Sequence, residues 1–528
     1  MRRMGLGGFL AMWLTSTVAL AGGFEFPDWG AHAVGRSGAF TAKVDDLSAM
    51  AINPGGLANL KGVNLYYSHN ITRLALDYTR ADASIYAANP KYPNDPTKDT
   101  VTKVPFQTVS NDAPWFPLGA MLAASYDFGL DLFTFGVGVW GPSAVGHTKF
   151  GLVPEVASLA PGADGTVAKQ PNGAKYTMVE RDILILYYTL SAGFRLPNHR
   201  FGVGIDLQWV DMPKLQFDMM VDGTETSKVY PVASSWDTLA RVDASDHTNV
   251  STIIGFWARP WDFLELGLSS RPLPVWFNGK GTVNVDLFGS AFQNPDGTYW
   301  AADEWGLSDD GTGTGDNTTK ATVKFTMPPW IRFGARYFYG TPGDEVFDVE
   351  LDFVYEFWRT FDKIGVDMNT QMNVEKNLGK IVALGPISID KKFKDTWSLR
   401  LGGDWQVWHE RLWVRAGGFY ETAASPYAYS SVDFEAFERA GGSLGLSWQF
   451  YPRMFLNVAF LHIQQFTRTV SEEDSRIVQQ RPGSRCTQSD DKSICDPHYA
   501  TWGGTAAVGA GTYSSMVDTI SFGVSAGF

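Results

Sequence analysis

The stretch DDLSAMAINPGGLANLKG, Asp45–Gly62, decides how the rest of the chain is read. Asn53-Pro54-Gly55-Gly56 fits neither a regular helix nor a central strand. Proline fixes φ and donates no hydrogen bond, and the two glycines allow φ > 0. The apolar Leu47, Met50 and Ile52 ahead of it predict a short buried helix running into a tight turn. Beyond Gly62 the pattern changes to a period of two and keeps it. The turn therefore closes a compact N-terminal element that precedes a long series of strands.

The bulk composition narrows what those strands build. Of the 528 residues, 44% are hydrophobic and only 19% charged, with 14% aromatic and 55 glycines. That is aromatic-rich and charge-poor for a soluble chain. After the first twenty residues no apolar run approaches the roughly 18 residues of a transmembrane helix. A closed β-barrel is the remaining way to span a bilayer, because every backbone polar group must be paired in hydrocarbon. A net charge of −13 gives no basic face for nucleic acid.

Residues 1–21 read as a secretory signal, with Arg2 and Arg3 at the charged start, an apolar Met4–Leu20 and Ala19-Leu20-Ala21 as the cleavage site. No cysteine follows it, so a lipoprotein anchor is unsupported. The chain's two cysteines, Cys486 and Cys495, share a polar stretch and are expected to form a disulfide across one loop of an exported protein. Two cysteines alone make a poor metal site, and no metal or cofactor is expected.

Alternation is clearest in the second half. Phe347, Val349, Leu351, Phe353 and Tyr355 oppose Asp348, Glu350, Asp352 and Glu356. Trp397, Leu399, Leu401 and Trp405 oppose Ser398, Arg400 and Asp404, and Ile520, Phe522 and Val524 oppose Thr519, Ser521 and Gly523. Many such segments of about ten residues, each with an apolar aromatic face, are the signature of a transmembrane antiparallel barrel: lipid outside, polar lumen inside. The connections alternate too. Short turns fall near 127–130, 197–200, 259–262, 340–344, 409–410 and 451–453. Long polar loops fall near 80–114, 144–180, 218–246, 278–324, 361–394, 422–438 and 470–512. Together they join about fourteen strands, with short periplasmic turns and long outside loops.

The fold class is therefore all-β, and the details resemble one family. Gly35-Arg36-Ser37-Gly38-Ala39, the acidic Asp45-Asp46 and the turn Asn53, Pro54, Gly55 resemble the N-terminal plug of the FadL/TodX (OmpP1) family of outer-membrane transporters, which carries Ala where Gly55 stands. The blocks Pro329–Tyr337 with Asp348–Asp362, Asp395–Gly403 with Trp413–Ser425, the Gly511–Ser515 run, and the terminal Phe528 are similar to the family as well. The resemblance implies fourteen strands in the outer membrane of a Gram-negative bacterium, with 22–61 as a hatch inside the lumen of a 62–528 barrel. It implies a porin-like monomer set in outer-membrane lipid and lipopolysaccharide. Its function would be passive fatty acid or lipid transport, with long-chain fatty acids or aromatic hydrocarbons as ligands. It further implies that a shift of the N-terminal segment, where Phe24, Phe26 and Trp29 lie, opens a lateral exit at the third strand, where Gly136, Gly138 and Gly141 make a kink plausible.

Other patterns point elsewhere and are weaker. Gly136–Gly141 fits GxGxxG, yet it lies inside a strand with Pro142 behind it, where a phosphate loop needs a strand-to-helix turn. Gly441-Gly442-Ser443-Leu444-Gly445 fits GxSxG, which raises an outer-membrane lipid hydrolase with His462 as base. That reading needs a nucleophile elbow this alternating run does not provide, so the chain is not expected to be an enzyme. A structural or adhesive barrel working through its loops is the other alternative. Arg332, Arg336, Arg400 and Arg415 share the polar parity of Asp348, Glu350, Asp352 and Asp404. They are expected to form a lumen charge network holding plug to wall, since unpaired charge in a narrow lumen is costly. One of the arginines is the alternative partner for a fatty-acid carboxylate. Asp309–Asp316 is read as a solvated loop.

Overall fold

The computed structural model describes residues 23, 26, 29–87, 91, 100–141, 146–151, 172–222, 237–287, 298, 306–308, 317–368, 370–375, 380–384, 386–477 and 507–528. Fourteen antiparallel strands close into a barrel. They are β1 (Val63–Arg80), β2 (Trp115–Tyr126), β3 (Phe133–Trp140, resuming at His147–Lys149), β4 (Met178–Arg195), β5 (Phe201–Asp222) and β6 (Asp237–Trp261). Then come β7 (Leu264–Arg271 with Val275–Leu287), β8 (Thr318–Met327 with Trp330–Thr341), β9 (Asp344–Glu356 with Lys363–Asp367) and β10 (Ile387–Asp390 with Thr396–Trp408). The last four are β11 (Leu412–Glu421), β12 (Arg439–Tyr451), β13 (Met454–Val470) and β14 (Gly511–Gly527). Each strand pairs with the next, and β14 closes on β1 from Asn64↔Gly527 to Arg80↔Gly511. Closure leaves no edge strand, which a lipid environment requires.

The outward positions form the expected apolar belt. Leu122, Leu190, Leu207, Phe333, Leu351, Leu401, Leu444 and Phe522 are exposed on it, with Phe128, Trp261, Phe263, Trp408 and Tyr451 ringing the short-turn end. Aromatic side chains suit that level because one end of the ring meets hydrocarbon and the polar edge meets water.

The long loops expected at 218–246 and 278–324 are shorter than the sequence suggests. The hairpin of β5 and β6 continues to Asp222↔Asp237, and β7 runs to Leu287 before β8 begins at Thr318. These extensions keep period two but invert its sense. On β7, Val275, Phe277, Val283 and Val285 are buried while Lys280 and Thr282 are exposed. On β8, Ala321, Val323, Phe325 and Met327 are buried while Lys320 and Lys324 face out. Outside the bilayer the outer face meets water, so the polar set faces outward there and the apolar set lines the interior.

The N-terminal segment carries two short helices, α1 (Ala31–Val34) and α2 (Ala49–Ile52), and a 3-10 turn over Pro54–Asn59. Nearly every described residue from 30 to 58 is buried. The segment packs against inward-facing positions on strands from both halves of the barrel.

Candidate functional site

Asn53 organises the turn. Its Oδ1 accepts from Gly55 N at 3.0 Å, and its Nδ2 donates to Thr41 O at 2.7 Å and to Phe256 O of β6 at 3.0 Å. The turn lies flat on glycines of the wall. A Cβ on Gly204 would sit 2.0 Å from Pro54 O, and one on Gly55 would sit 2.7 Å from the Phe256 backbone. An alanine methyl at position 55 has no room on this wall.

Charge fixes the rest of the segment. Asp348 on β9 and Asp404 on β10 are directly opposite in register, an arrangement that repels unless a cation lies between them. Arg36 supplies it. Its Nη1 donates to Asp348 Oδ1 at 2.6 Å and Asp404 Oδ1 at 2.7 Å, and its Nη2 to Glu350 Oε2 at 3.0 Å. Lys43 Nζ reaches Asp348 Oδ2 at 2.9 Å. Burial and the nearby Arg336 guanidinium oppose the Lys43 charge, yet Asp348, Asp45 and Asp404 outweigh them and hold its pKa above the ordinary lysine range. Carboxylates also bind the segment's backbone: Asp352 Oδ2 accepts from Phe40 N and Thr41 N, both at 3.0 Å, and Glu350 Oε1 accepts from Ala42 N at 2.6 Å.

The four arginines singled out from the sequence do not share one site. Arg336 bonds Glu265 at 2.6 Å and Asp348 at 2.9 Å, and Arg415 lies 3.5 Å from Asp404. Both belong to the Arg36 cluster. Arg332 is stacked over Trp330 at 4.4 Å. Arg400 lies with Glu421, 3.5 Å away, which also binds Arg439. Sequence reasoning missed Arg36 and Lys43 as the partners of the wall carboxylates. The available signal was the acidic excess on the polar parity of β9 and β10, which calls for cations from elsewhere.

The barrel interior has two zones. Beside the short turns, inward positions are polar: Thr189 and Ser191 on β4, Asp206 and Gln208 on β5, Glu265 and Ser269 on β7. Further up the same strands they are apolar: Ile183, Ile185 and Tyr187, then Val210, Met212 and Phe217, then Val275 and Phe277. The N-terminal segment fills the polar zone and turns Leu47, Met50, Ala51 and Leu57 toward the apolar one, forming one continuous buried cluster. The expected polar lumen therefore holds only for the zone the segment occupies. Phe26 packs with Phe419, Leu461 and Ile463, under Arg439. Gly23 lies against the Trp358 ring, and Trp29 packs against the apolar cluster. Phe24, Cys486 and Cys495, like Asp309–Asp316, lie outside the described residues.

Among the described residues, the pairing of β3 with β4 is interrupted at the level where the zones meet. β3 pairs with β4 up to Trp140↔Tyr187 and again from His147↔Asp182, so Ile183–Leu186 have no β3 partner among the described residues. On its other side β3 meets β2 only from Met121↔Trp140 downward. Gly136 faces Met50 of the N-terminal segment, Gly138 lies beside Trp140, and Gly141 lies against Ile185 O where pairing stops.

At the loop end, the segment after β11 folds inward. Phe434 is buried between Arg181 of β4, 4.6 Å from its ring, and Lys391, 5.4 Å away. Asp433 pairs with Lys391, and Arg181 donates to Asp433 O. Burial pushes the Glu435 carboxyl up from 4.5 to about 7, with Asp433 adding to this and Arg181 and Arg439 opposing it. A carboxyl raised on folding binds its proton more tightly in the folded state. The seating of this loop is therefore full below about pH 4.5, weakens up to tenfold per unit as pH rises toward 7, and is flat above. Hydrogen exchange of residues 430–437 is expected to speed up by as much as about fiftyfold between pH 5 and 7.5, after correction for intrinsic exchange, and Glu435→Gln to remove that dependence.

Ser443 and His462 cannot act together. Ser443 faces inward, 2.8 Å from Ser37 Oγ, while His462 pairs with Gly442 in register, lies on the outer face and meets Asp518 at 2.7 Å.

A family model for outer membrane protein transport proteins (OMPP1/FadL/TodX) matches residues 174–493. No curated protein matches the chain. Among solved structures, a Pseudomonas aeruginosa FadL homologue is similar at 15% identity and TM-score 0.65, over 97% of this chain and 100% of that one. The P. putida toluene transporter TodX is similar at 12% identity and TM-score 0.58, over 95% and 98%. The CymD monoaromatic hydrocarbon channel is similar at 13% identity and TM-score 0.53, over 94% and 97%. At these identities the likeness speaks for the fold.

Proposed function

Because this chain belongs to the OMPP1/FadL/TodX family, outer-membrane transporters of hydrophobic compounds in Gram-negative bacteria, we propose that it carries long-chain fatty acids inward by diffusion. In this reading residues 1–21 are removed on export, 22–61 form a hatch and 62–528 form the barrel. It works as a monomer, its outer face against outer-membrane lipid and lipopolysaccharide. The observation that carries the proposal is the apolar zone ending on the hatch. An alkyl chain loses about 0.8 kcal/mol per CH₂ on leaving an apolar site for water, so a water-filled pore is a poor route for it. A lined apolar path removes that cost until the ligand reaches the hatch. There the glycine-rich β3, which among the described residues leaves Ile183–Leu186 unpaired, offers a way sideways into the membrane without crossing the polar zone.

Two further features support the details. Gly23 and Trp29 lie against the apolar cluster and Phe26 packs in a neighbouring one, as a ligand chain would, so their displacement frees the route. Arg181 and Lys391 hold an internal carboxylate, Asp433, and an internal ring, Phe434. That cation pair favours a ligand with an anionic head over a plain hydrocarbon such as toluene.

Uptake of radiolabelled oleate and of toluene by cells producing each variant tests this. Deletion of residues 23–29, or Asn53→Ala with Pro54→Ala, is expected to change uptake of both ligands with the barrel still assembled. Lys391→Ala is expected to lower oleate uptake several-fold and leave toluene uptake within twofold. Unchanged uptake in the hatch variants discards gating, and equal effects on both ligands discard the fatty-acid assignment.

A further inference from the structure

Beside the hatch, on the short-turn side, lies a cavity of about 470 Å³ lined by His32, Lys43, Asp45, Asp46, Asp404 and Arg415. Three ligand atoms converge there. His32 Nδ1 is 3.4 Å from Asp45 Oδ1 and 3.6 Å from Asp46 Oδ2. Each of the three groups has its other polar atom engaged. His32 Nε2 bonds Asp404 Oδ2 at 2.9 Å. Lys43 Nζ lies 3.3 Å from Asp45 Oδ2. Asp46 Oδ1 accepts from Ser48 N at 2.8 Å and Ser48 Oγ at 2.5 Å. What remains is one imidazole lone pair and two carboxylate oxygens facing one another. Asp46 Oδ2 is buried and has no hydrogen-bond partner among the described residues. A second observation points the same way. Tyr66, 3% exposed, lines the same cavity, and its hydroxyl also lacks a hydrogen-bond partner among the described residues.

We propose that His32 Nδ1, Asp45 Oδ1 and Asp46 Oδ2 bind a divalent first-row transition ion, Zn²⁺ by geometry, and that Asp404 orients the histidine from the second layer. The competing arrangement is an imidazolium bonded to the two aspartates. Its hydrogen bonds would be 3.4 and 3.6 Å long, beyond the usual 2.7–3.2 Å for N–H···O. Ligand atoms held about 2.0–2.2 Å from a tetrahedral zinc lie about 3.3–3.6 Å from one another, which the two separations from His32 Nδ1 match, and all three atoms lie within 4.8 Å of one another. One nitrogen and two carboxylate oxygens are a set that zinc accepts, with water as the fourth ligand. The carboxylate–histidine–metal arrangement fixes the tautomer, because Nε2–H donates to Asp404 and Nδ1 is left bare. The ion would tie α1 to the acidic stretch before α2, and through Asp404 to the wall. The sequence reading expected no metal because it looked to the cysteines, and the histidine lies thirteen residues from the nearest aspartate of the set. The inference does not depend on which hydrophobic ligand is carried.

The test uses the full-length protein in detergent, stripped with chelator, dialysed and titrated with Zn²⁺ and then Co²⁺. Wild type is expected to bind one ion per chain and to give the visible bands of tetrahedral Co²⁺. Asp46→Asn should weaken binding at least tenfold, and Asp404→Asn by about 10- to 100-fold. His32→Cys should keep binding and add a thiolate-to-Co²⁺ charge-transfer band, which arises only if residue 32 is a ligand. Heat-modifiable gel mobility reports whether each variant holds a folded barrel. Wild type that binds no ion overturns the proposal whatever the variants do. So does binding unchanged in Asp46→Asn, or folded His32→Cys that binds Co²⁺ without the band.

Discussion

Arg36→Ala is expected to unseat the N-terminal segment while the barrel still closes. Arg36 is fully buried, and its removal leaves Glu350 without its cation and Asp348 and Asp404 facing one another with only Lys43, Arg336 and Arg415 at their outer sides. Breaking a buried ion pair by deleting one partner costs about 3–5 kcal/mol, because the other charge stays buried and uncompensated. The strand ladders do not use Arg36, so the cost falls on the docking of residues 30–58. Hydrogen exchange of that segment is expected to rise by at least a hundredfold, with exchange in β8–β14 little changed. Equal protection in the variant would mean that the segment is held by packing alone and that the charge hub is incidental.

A comparable effect is expected on the opposite wall from Gly204→Val. A side chain there would begin 2.0 Å from Pro54 O, and the backbone of the turn has no slack, since Gly55 already touches Phe256 and Asn53 bonds Phe256 O. Overpacking of this kind typically costs about 1–3 kcal/mol, and a clash with backbone belongs at the upper end. The turn at Pro54–Asn59 should lift away, measured as faster exchange of the Gly55 and Gly56 amides, while Gly365→Ala, where a Cβ meets nothing closer than 4.0 Å, should do nothing of the kind. No change at Gly55 and Gly56 would show that the wall glycines do not seat the turn.

Much of the fold was legible because a lipid-facing strand leaves a plain trace. Phe347, Val349, Leu351 and Phe353 can all face one way only where that way is hydrocarbon, and the carboxylates between them must then face in. The strand extensions were hidden by the same rule. Val275, Phe277 and Val283 alternate with Asn278, Lys280 and Thr282 as cleanly as any lower strand, but the faces have exchanged solvents. Read as polar, Asn278–Lys324 looked like loop, and the apolar interior it helps to build was missed with it. The seat of the N-terminal segment was half visible. Asn53-Pro54-Gly55 marks the turn, and the acidic parity of β9 marks a need for cations, but nothing in the spacing brings Arg36 to Asp348 across 312 residues. Arg181 and Lys391 were out of reach for a similar reason, since their contacts with Asp433 and Phe434 depend on a loop folding back into the barrel.

The proposed transport needs an apolar interior that leads to the hatch and out past β3, and photolabelling tests that most directly. A long-chain fatty acid carrying a diazirine at its methyl end is bound to the purified full-length protein, irradiated, and the labelled residues are mapped by mass spectrometry. Labels are expected on inward residues of β4, β5 and β7 above the hatch, such as Ile183, Ile185, Met212 and Phe277, and on β3 near Trp140. Labels confined to the outer belt, such as Leu190, Leu207 and Leu351, would contradict it.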